Sequence, residues 1–513
     1  MLEKLSTHWR YLLLGPTILT TFLTPFLRFN HIPLLSAESL LTYLFLVVVG
    51  LLLGSLMIFG GTLVQAFFGA FFIALFAFYQ MDNLSELPFG LRYMPVLLAF
   101  SIFLSLGLYF LGKHLEQFLF IVFGVLWLGA FFQFIPPIEK SINLAAGEQV
   151  DASLPPYIHI ILDEHIGIEG IPSYVNQGQK FSKELLDKYT SQGFRVFGRA
   201  YSRTRHTRPS FYSFLNFKPS YDSIPSVRGI QPMLKRNSLF EKLTKQGYII
   251  NVFETTKFPY CDQESGYRLG KCISYRINMI FAANSSIAVL SGLLQAMKVL
   301  YRFNEVALAF GFPKLEKTKS VVPITAMKTF YKNIDFLSEG KRGNAYFIHL
   351  FVPHSPLIFD EKCSIRFPKE WRSLNLFNRE GYYQGYLKQV KCSHKMMDDL
   401  LSKLNSRSTN SNGTIIIQGD HGSRINFLGQ TAPFTTGEYI QDFSTFFAVR
   451  SQKHNSGYDR RPIALDALTR SVIFGMKPLP EIGQSKFVCP TESWGCTRRP
   501  LPPLAHGEPI NEW

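Results

Sequence analysis

Two segments of this 513-residue chain end apolar runs with side chains that could hold a metal ion. Asp163 and Glu164 follow one run of large aliphatic residues, and Asp420 and His421 follow another that contains three consecutive isoleucines. A buried strand that ends in adjacent acids is costly unless the acids pair or bind a cation. A helix-capping role for Asp163 would explain one acid but not the strand before it. Because carboxylate and imidazole together suit zinc or manganese, we predict that Asp163, Asp420 and His421 bind a divalent ion.

A third apolar run, at residues 345–351, contains His349 and is followed by His354. His354 stands between Pro353 and Pro356, and a rigid turn of this kind can hold an imidazole toward a pocket. His349 lies inside the run, so it fits either a hydrogen-bonded core position or a position that contacts substrate. We therefore predict a site role for His354 and leave both roles open for His349.

A candidate nucleophile is the hydroxyl of Thr207, which lies in the basic segment 205–210 just before a predicted helix. A bound metal ion would lower the pKa of this hydroxyl and activate it. Arg203, Arg205 and Arg208 could stabilise an anionic transition state. A solvated loop would also explain each arginine individually.

The elements around these segments alternate between strands and helices in the C-terminal two-thirds of the chain. Strands are predicted at 157–162, 248–253, 345–351 and 414–418, and helices at 181–192, 238–246, 324–338 and 381–404. This alternation favours an α/β fold with a mostly parallel sheet covered by helices. Ligands of such sheets bind beyond the carboxyl ends of the strands, where the candidate residues lie.

The first 138 residues are too apolar for a soluble protein. Uncharged runs occupy 11–27, 39–81, 93–112 and 117–138, and the second run is long enough for two spans joined at Gly60 and Gly61. We therefore predict five transmembrane helices. A cleaved signal peptide is the alternative for the first run, but Pro16 and Pro25 interrupt it and no small-residue cleavage site follows.

The orientation of these spans follows from the charges that flank them. Lysines and arginines of the short loops are balanced between the two sides, so the first helix decides, and Lys4 with Arg10 favours a cytoplasmic N-terminus. An odd number of spans then places the rest of the chain outside the cytoplasm. We expect a multi-pass inner-membrane protein whose catalytic domain lies on the periplasmic or extracellular side.

Cysteine positions agree with that placement. All six cysteines lie after residue 138, and an even set in an extracytoplasmic domain is typical of disulfides. Structural zinc and free thiols are the alternatives, although no C-x-x-C spacing supports zinc. The simplest pairing joins neighbours: Cys261 with Cys272, Cys363 with Cys392, and Cys489 with Cys496.

Charge and composition divide the chain further. The net charge of +16 does not indicate nucleic-acid binding, because no basic run alternates with aromatic residues, and anionic lipid is the more plausible partner. Residues 278–312 are apolar but interrupted by polar side chains, so we expect helices on the domain or at the bilayer interface rather than a sixth span. The predicted parts are a transmembrane domain at 1–138, a linker at 139–156, a catalytic domain at 157–477 and a Pro-rich disulfide-tied tail at 478–513.

These segments, in this order, resemble the sulfatase and alkaline-phosphatase superfamily over roughly residues 155–475. With five N-terminal spans, the architecture is similar to lipoteichoic acid synthases and lipid A phosphoethanolamine transferases. The resemblance implies an alkaline-phosphatase-like sheet sandwiched by helices. It also implies that Asp163 is the first metal carboxylate and Thr207 the metal-bound nucleophile. The Asp-His metal pair falls on Asp420 and His421, and the substrate-contacting histidine on His354.

The departures from the family pattern narrow the expected chemistry. Sulfatases make formylglycine from Cys or Ser, which Thr207 cannot provide, and Phe211 occupies their arginine position. Both departures argue against sulfate-ester hydrolysis. A threonine nucleophile resembles the phospho-transferring branch, which forms a phosphothreonine intermediate. Those transferases usually have Glu where this chain has Asp163, and a further Glu and His after Asp-His-Gly, where this chain has Ser423.

The expected activity is therefore transfer of a phospholipid headgroup, phosphoethanolamine or glycerophosphate, from a membrane phospholipid donor to an envelope glycan or lipid. The expected cofactor is a divalent ion, zinc or manganese. Substrate-binding roles are expected for Glu164, Arg203, Arg208 and His349. Two alternatives remain open: hydrolysis of a phosphate ester by the same residues, and a non-catalytic envelope scaffold.

Overall fold

The chain folds into two compact units. The computed structural model describes residues 9–80, 93–132, 139–144, 150–173, 175–218, 234–258, 260–262, 265–276, 285–315, 321–366, 379–406, 412–425, 436–475, 487–489 and 499–500. The first unit comprises Met1–Pro137 and Asn278–Ser320, and the second comprises Ile138–Ile277 and Val321–Trp513. The predicted catalytic domain included residues 278–320, which the structure groups with the N-terminal residues instead.

Apolar helices make up the first unit. They are α1 (Trp9–Phe29), α2 (Ala37–Phe59), α3 (Gly61–Gln80), α4 (Tyr93–Tyr109) and α5 (Leu115–Phe132), and after a long gap in sequence α9 (Ser286–Ala296) and α10 (Leu300–Ala309). Four segments of the described residues are long and apolar enough to cross a membrane: Trp9–Phe29, Ala37–Phe59, Gly61–Tyr79 and Gly112–Phe132. Helix α4 is shorter, at 17 residues. The count of five spans therefore stays a prediction.

Small residues let α1 and α2 approach closely. A Cβ atom added to Gly50 would lie 2.4 Å from the backbone nitrogen of Pro16, and one added to Gly54 would lie 2.3 Å from the carbonyl oxygen of Tyr11. Contact of this kind between apolar helices needs glycine, because any side chain would separate the backbones. The turn between α2 and α3 falls at Gly61, whose φ is +71°, as the Gly60-Gly61 pair predicts.

A mixed sheet of nine strands forms the centre of the second unit, in the order β1-β6-β5-β7-β2-β8-β9-β3-β10. Its strands are β1 (Glu139–Asn143), β2 (Tyr157–Leu162), β3 (Arg195–Phe197), β5 (Ile249–Thr255), β6 (Leu269–Tyr275), β7 (Asn344–Leu350), β8 (Thr414–Gly419), β9 (Phe447–Arg450) and β10 (Gly457–Asp459). The five adjacent strands from β6 to β8 are parallel, whereas β1 and β9 pair antiparallel with their neighbours. The predicted α/β fold is confirmed. Strand β1 lies within the predicted linker.

Helices surround this sheet, and short strands pair beside it. They are α6 (Gly178–Ser191), α7 (Thr207–Asn216), α8 (Ser238–Lys245), α11 (Val322–Leu337), α12 (Arg379–Asn405), α13 (Thr436–Phe443) and α14 (Leu465–Phe474), with the paired strands β4 (Ala200–Tyr201) and β11 (Ile463–Ala464), and β12 (Phe487–Val488) and β13 (Arg499–Pro500). Helices α6, α8 and α11 pack against β3, β5 and β7 respectively.

The register of the three central strands brings their carboxyl ends to one edge. Leu162, the last residue of β2, pairs with Leu350 of β7 on one side and with Gly419 of β8 on the other. Because these strands are parallel, the residues that follow them emerge side by side. Asp163 and Asp420 are two of those residues.

Disulfides tie the second unit together. Cys261 is bonded to Cys272 and Cys363 to Cys392, as neighbour pairing predicts. Cys489 is also disulfide-bonded. Cys496, its predicted partner, lies outside the described residues.

Candidate active site

Asp163 stands at the end of β2 with one carboxylate oxygen satisfied and one not. Its backbone N–H donates to the Leu350 carbonyl at 3.0 Å, which fixes it against β7. Oδ2 accepts from His349 Nε2 at 3.1 Å. Oδ1 is buried and accepts no hydrogen bond within the described part of the chain. Burial alone would raise the pKa of this carboxyl, but the electrostatic influence of His354, the hydrogen bond from His349 and the nearby His421 outweigh burial and lower it.

Asp420 shows the same pattern at the end of β8. Its Oδ1 accepts from the backbone N–H groups of Glu164 and His421, both at 2.9 Å. Its Oδ2 lies 3.2 Å from His421 Nε2 but accepts no hydrogen bond from any described group. The reason is that the histidine proton sits on Nδ1, which donates to the Gly422 carbonyl at 2.8 Å. Burial, and then the charge of Asp163, raise the pKa of Asp420 to about 6, while the Thr207 hydroxyl opposes this shift.

These three residues fit a divalent cation. One ligand atom from each of Asp163, Asp420 and His421 lies within 4.8 Å of the others. Buried carboxylate oxygens without donors are costly unless something positive satisfies them. The Nδ1 hydrogen bond of His421 leaves the lone pair of Nε2 available, which is the arrangement expected of a metal-ligating histidine. Two carboxylates and one imidazole form a donor set that suits zinc or manganese.

Thr207 is the first residue of α7, and its hydroxyl faces the same point. Its Oγ1 lies 3.4 Å from His421 Nε2. Ser210, in the first turn of the helix, donates to the backbone carbonyl of Asp420 at 2.5 Å and so fastens the helix to the end of β8. Pro209 suits a first turn because that position has no intrahelical donor to lose. The positive end of the helix dipole therefore lies at Thr207 and favours negative charge there.

A second group of possible ligands shares Asp163 with Glu164 and His354, whose ligand atoms all lie within 4.8 Å of one another. The Glu164 carboxylate forms an ion pair with Arg424, and its Oε1 lies 3.5 Å from His354 Nε2. His354 Nδ1 is 2.5 Å from the Ser355 carbonyl, so the other ring nitrogen faces Glu164 and Arg424. The His354 side chain is 24% exposed, which leaves it accessible from solvent.

His349 lies behind Asp163 and has no exposure. Its Nε2 contacts Asp163, and its Nδ1 lies 2.9 Å from each carboxylate oxygen of Glu254. Burial opposes the charged form, but Glu254 and Asp163 together raise the pKa of His349 to about 10. The structure thus places His349 in the core, in contact with a predicted ligand. Sequence reasoning missed Glu254, although it follows the apolar run 248–253 just as Asp163 follows its own run.

The predicted arginines separate into two kinds. Arg203 is buried and pairs with Asp466 at 2.9 Å, so its guanidinium already has a carboxylate partner. Arg205 is also buried, 3.7 Å from Asp442. The Nε–H of Arg208 is buried and donates to no group among the described residues. Its substrate-binding role, unlike that of Arg203, therefore has an unpaired donor to support it.

Lys257 and Arg424 are site residues that sequence reasoning missed. Lys257 is exposed, and its charge interacts with those of Arg208, Asp163 and Glu254. Arg424 comes four residues after Asp420 and adopts a φ of +50°. Lys257 follows a strand by two residues, and neither position has a sequence pattern that distinguishes it from a surface cation.

Comparison with known proteins gives the following matches. The family model described as Sulfatase matches residues 175–442. No curated protein matches the chain in sequence. Similar solved structures include the C-terminal periplasmic domain of EptC from Escherichia coli in complex with Zn, with 14% identity, 69% of this chain and 93% of that chain covered, and a TM-score of 0.38. Another is a protein in the alkaline phosphatase superfamily from Vibrio parahaemolyticus, with 12% identity, coverage of 70% and 78%, and a TM-score of 0.37.

Proposed function

This chain belongs to the sulfatase family, and from that premise we propose that it is a membrane-anchored, metal-dependent transferase of phospholipid headgroups. The donor is a membrane phospholipid, with phosphoethanolamine or glycerophosphate as the transferred group, and the acceptor is an envelope glycan or lipid. The reaction takes place outside the cytoplasm. The apolar helices keep the enzyme in the membrane that contains the donor.

One observation carries this proposal. The Thr207 hydroxyl lies at a helix N-terminus, 3.4 Å from His421 Nε2, beside the unsatisfied carboxylate oxygens of Asp163 and Asp420. A divalent ion, zinc or manganese, held by Asp163, Asp420, His421 and Thr207 would lower the pKa of the hydroxyl and neutralise phosphoryl oxygens. A threonine in this position supports an oxygen nucleophile rather than the formylglycine of sulfatases.

In the first step, Thr207 Oγ1 forms a bond to the phosphorus of the donor while the bond from phosphorus to the diacylglycerol oxygen breaks. The hydroxyl proton is released to water as the new bond forms. His354 donates a proton to the departing oxygen. The products are diacylglycerol and a headgroup esterified to Thr207.

In the second step, an acceptor hydroxyl attacks the same phosphorus and Thr207 leaves. His354 takes the proton of the acceptor, and Thr207 regains a proton from water, so both residues return to their starting states. Arg208 and Lys257 bind the non-bridging phosphoryl oxygens. Glu164 contacts both His354 and Arg424, and His349 contacts Asp163. We therefore assign Glu164 and His349 to positioning these groups rather than to direct substrate binding.

The test is detection of the covalent intermediate. The full-length protein is incubated with labelled phosphatidylethanolamine or phosphatidylglycerol and then digested with a protease. The mass of the peptide that contains Thr207 is measured by mass spectrometry. We expect an added headgroup phosphate on Thr207, and no adduct and no turnover in Thr207→Ala. Thr207→Ser should keep partial transfer and gain no sulfatase activity. Thr204→Ala, which removes a hydroxyl three residues earlier, is the matched control and should turn over normally.

Unchanged turnover in Thr207→Ala would refute the covalent mechanism. Product analysis separates transfer from hydrolysis by the same residues, because both release diacylglycerol but only transfer moves the label to a second molecule. Asp420→Asn should lose metal together with activity, since an amide oxygen is a weaker ligand than a carboxylate. A protein that binds no divalent ion under any condition would favour the scaffold alternative.

A further inference from the structure

Residues 285–315 interrupt the second unit in sequence but fold with the first. Val289 and Leu293 of α9, and Met297 just after it, lie in the same apolar core as residues of α1 and α2. The chain thus leaves the second unit, which contains the candidate active site, at Ile277. It contributes α9 and α10 to the first unit and returns to the second unit at Val321.

Contacts inside the first unit show at which end of the helix bundle the segment 285–315 lies. The carbonyl oxygen of Ser286, at the start of α9, is 3.4 Å from the hydroxyl of Thr42, in the second turn of α2. Arg28, at the end of α1, donates to the carbonyl of Ala130, at the end of α5, at 2.8 Å. The start of α2, the end of α1 and the end of α5 are therefore together, and α9 lies at that end. The predicted topology makes this the outer end.

Neither α9 nor α10 is long enough to cross a bilayer. Helix α9 has 11 residues and α10 has 10. At roughly 1.5 Å per residue each is about 15–17 Å long, half of the approximately 30 Å hydrocarbon core. Each helix is therefore too short to cross the membrane by itself, which fits a position at one surface.

Helix α10 and the loop after it present an apolar surface outward. Only Leu300, Asn304 and Ala307 of the helix are buried. Phe310 is 75% exposed and Phe312 is 63% exposed. The other exposed large apolar side chains are Tyr301, Phe303, Val306 and Leu308. We call these six exposed residues the 301–312 surface.

The loop that carries the two phenylalanines is fixed. Asn304 donates to the Leu315 carbonyl at 2.9 Å and accepts from the Leu315 N–H at 2.8 Å, so one buried side chain closes the loop from both directions. Gly311 has a φ of +76°, and the Phe312 N–H donates to the Ala307 carbonyl at 2.9 Å. Holding two large rings outward in this way is unfavourable in water and indicates an apolar partner.

The charges beside the surface indicate what that partner is. Lys298, Arg302 and Lys314 flank the aromatic side chains, and Glu305 is paired with Arg302. Aromatic residues mixed with cations are typical of segments at the boundary between lipid headgroups and acyl chains. We propose that the 301–312 surface lies in the outer interface of the phospholipid bilayer and anchors the catalytic unit there through a second attachment, separate from the spans.

The test places a photoreactive residue on the surface of the full-length protein. Phe310 is replaced by benzoylphenylalanine, which an exposed position accommodates without repacking the core. The protein is reconstituted in vesicles of phosphatidylethanolamine and phosphatidylglycerol, irradiated and analysed by mass spectrometry. Phe103 of α4, also 75% exposed, receives the same replacement as the matched control for a lipid-facing position.

We expect phospholipid adducts at position 310 in a yield comparable with that at position 103. Cross-links from position 310 to a second copy of the chain, or to the catalytic unit of the same chain, would overturn the proposal. So would the absence of lipid adducts at 310 when 103 is labelled. This readout involves no catalysis, so its failure is distinct from failure of the proposed transferase activity.

Discussion

Replacing Glu254 by glutamine tests whether support behind the metal ligands matters for metal binding. Both carboxylate oxygens of Glu254 lie 2.9 Å from Nδ1 of His349, and Nε2 of the same ring lies 3.1 Å from Asp163 Oδ2. All three residues are buried. Glutamine retains the shape and one acceptor oxygen but removes the charge. The change therefore acts on Asp163 only through the histidine.

The size of the effect follows from the kind of contact that is lost. A hydrogen bond to a charged group contributes about 1.5–3 kcal/mol, against about 0.5–1.5 kcal/mol for a neutral one. Glu254→Gln should therefore lower the free energy of unfolding by about 1–2 kcal/mol. Loss of support behind a metal ligand typically reduces metal affinity about 10–100-fold. Glu254→Ala leaves a buried charge without its partner and should be costlier, at about 3–5 kcal/mol.

The measurement is a zinc and manganese titration of the full-length protein in detergent, with thermal unfolding of the same samples. Glu169→Gln is the matched control, because Glu169 is also a buried carboxylate but pairs with Arg199 and Arg460 instead. We expect the control to lose stability and keep its metal affinity. If Glu254→Gln lost stability while binding both metals as tightly as the unmodified protein, the contact through His349 would have no effect on the site.

Three further outcomes follow from the structure. Arg203→Met should lose about 3–5 kcal/mol in thermal unfolding because its buried aspartate partner is left unpaired, whereas Arg208→Met should melt normally and raise the KM for donor lipid; equal melting of the two variants would contradict this division. Removing the disulfide between Cys363 and Cys392, which are 29 residues apart, should lower the free energy of unfolding by about 3–4 kcal/mol, and no change in chemical denaturation would contradict it. Burial lowers the pKa of His159 to about 4, so the folded state resists a proton that the unfolded chain accepts below about 6.5; stability should be full above that pH and fall by up to about 3 kcal/mol toward pH 4, with a smaller fall in His159→Gln.

The central strands of the sheet could be predicted because their signal is local. The apolar runs that become β2 and β8 have every residue after the first fully buried, and their composition alone separates them from helices. Strands β3 and β10 have three residues each, and β1 lies in a polar segment within the predicted linker. Strands β1, β3 and β10 form because they hydrogen-bond with strands that are distant in sequence, so the pattern of their own residues does not predict them.

The residues of the candidate active site also differ in how well the sequence predicts them. Asp163 and Asp420 follow strongly apolar strands, so their position at one edge of the sheet follows from the fold. The partner of Arg203 lies 263 residues away in sequence, and no spacing rule links the two. Lys257 and Arg424 are likewise brought to the site by folding alone. Residue types that suit chemistry can thus be found in sequence, but which cation faces the site and which one pairs in the core depends on packing.

Phe211 stands where the resemblance to sulfatases leads one to expect arginine, and its surroundings show why an aromatic residue suits this position. Its ring lies 4.7 Å from the imidazole of His349 and stacks on Phe258 at 5.1 Å, in a fully buried position. An arginine at 211 would place a second buried cation against a histidine that two carboxylates already hold positive, and each buried cation needs its own partner. An aromatic face instead attracts the charged ring. Phe211 therefore suits its place beside His349 and Glu254, and Phe211→Arg alone should destabilise the core.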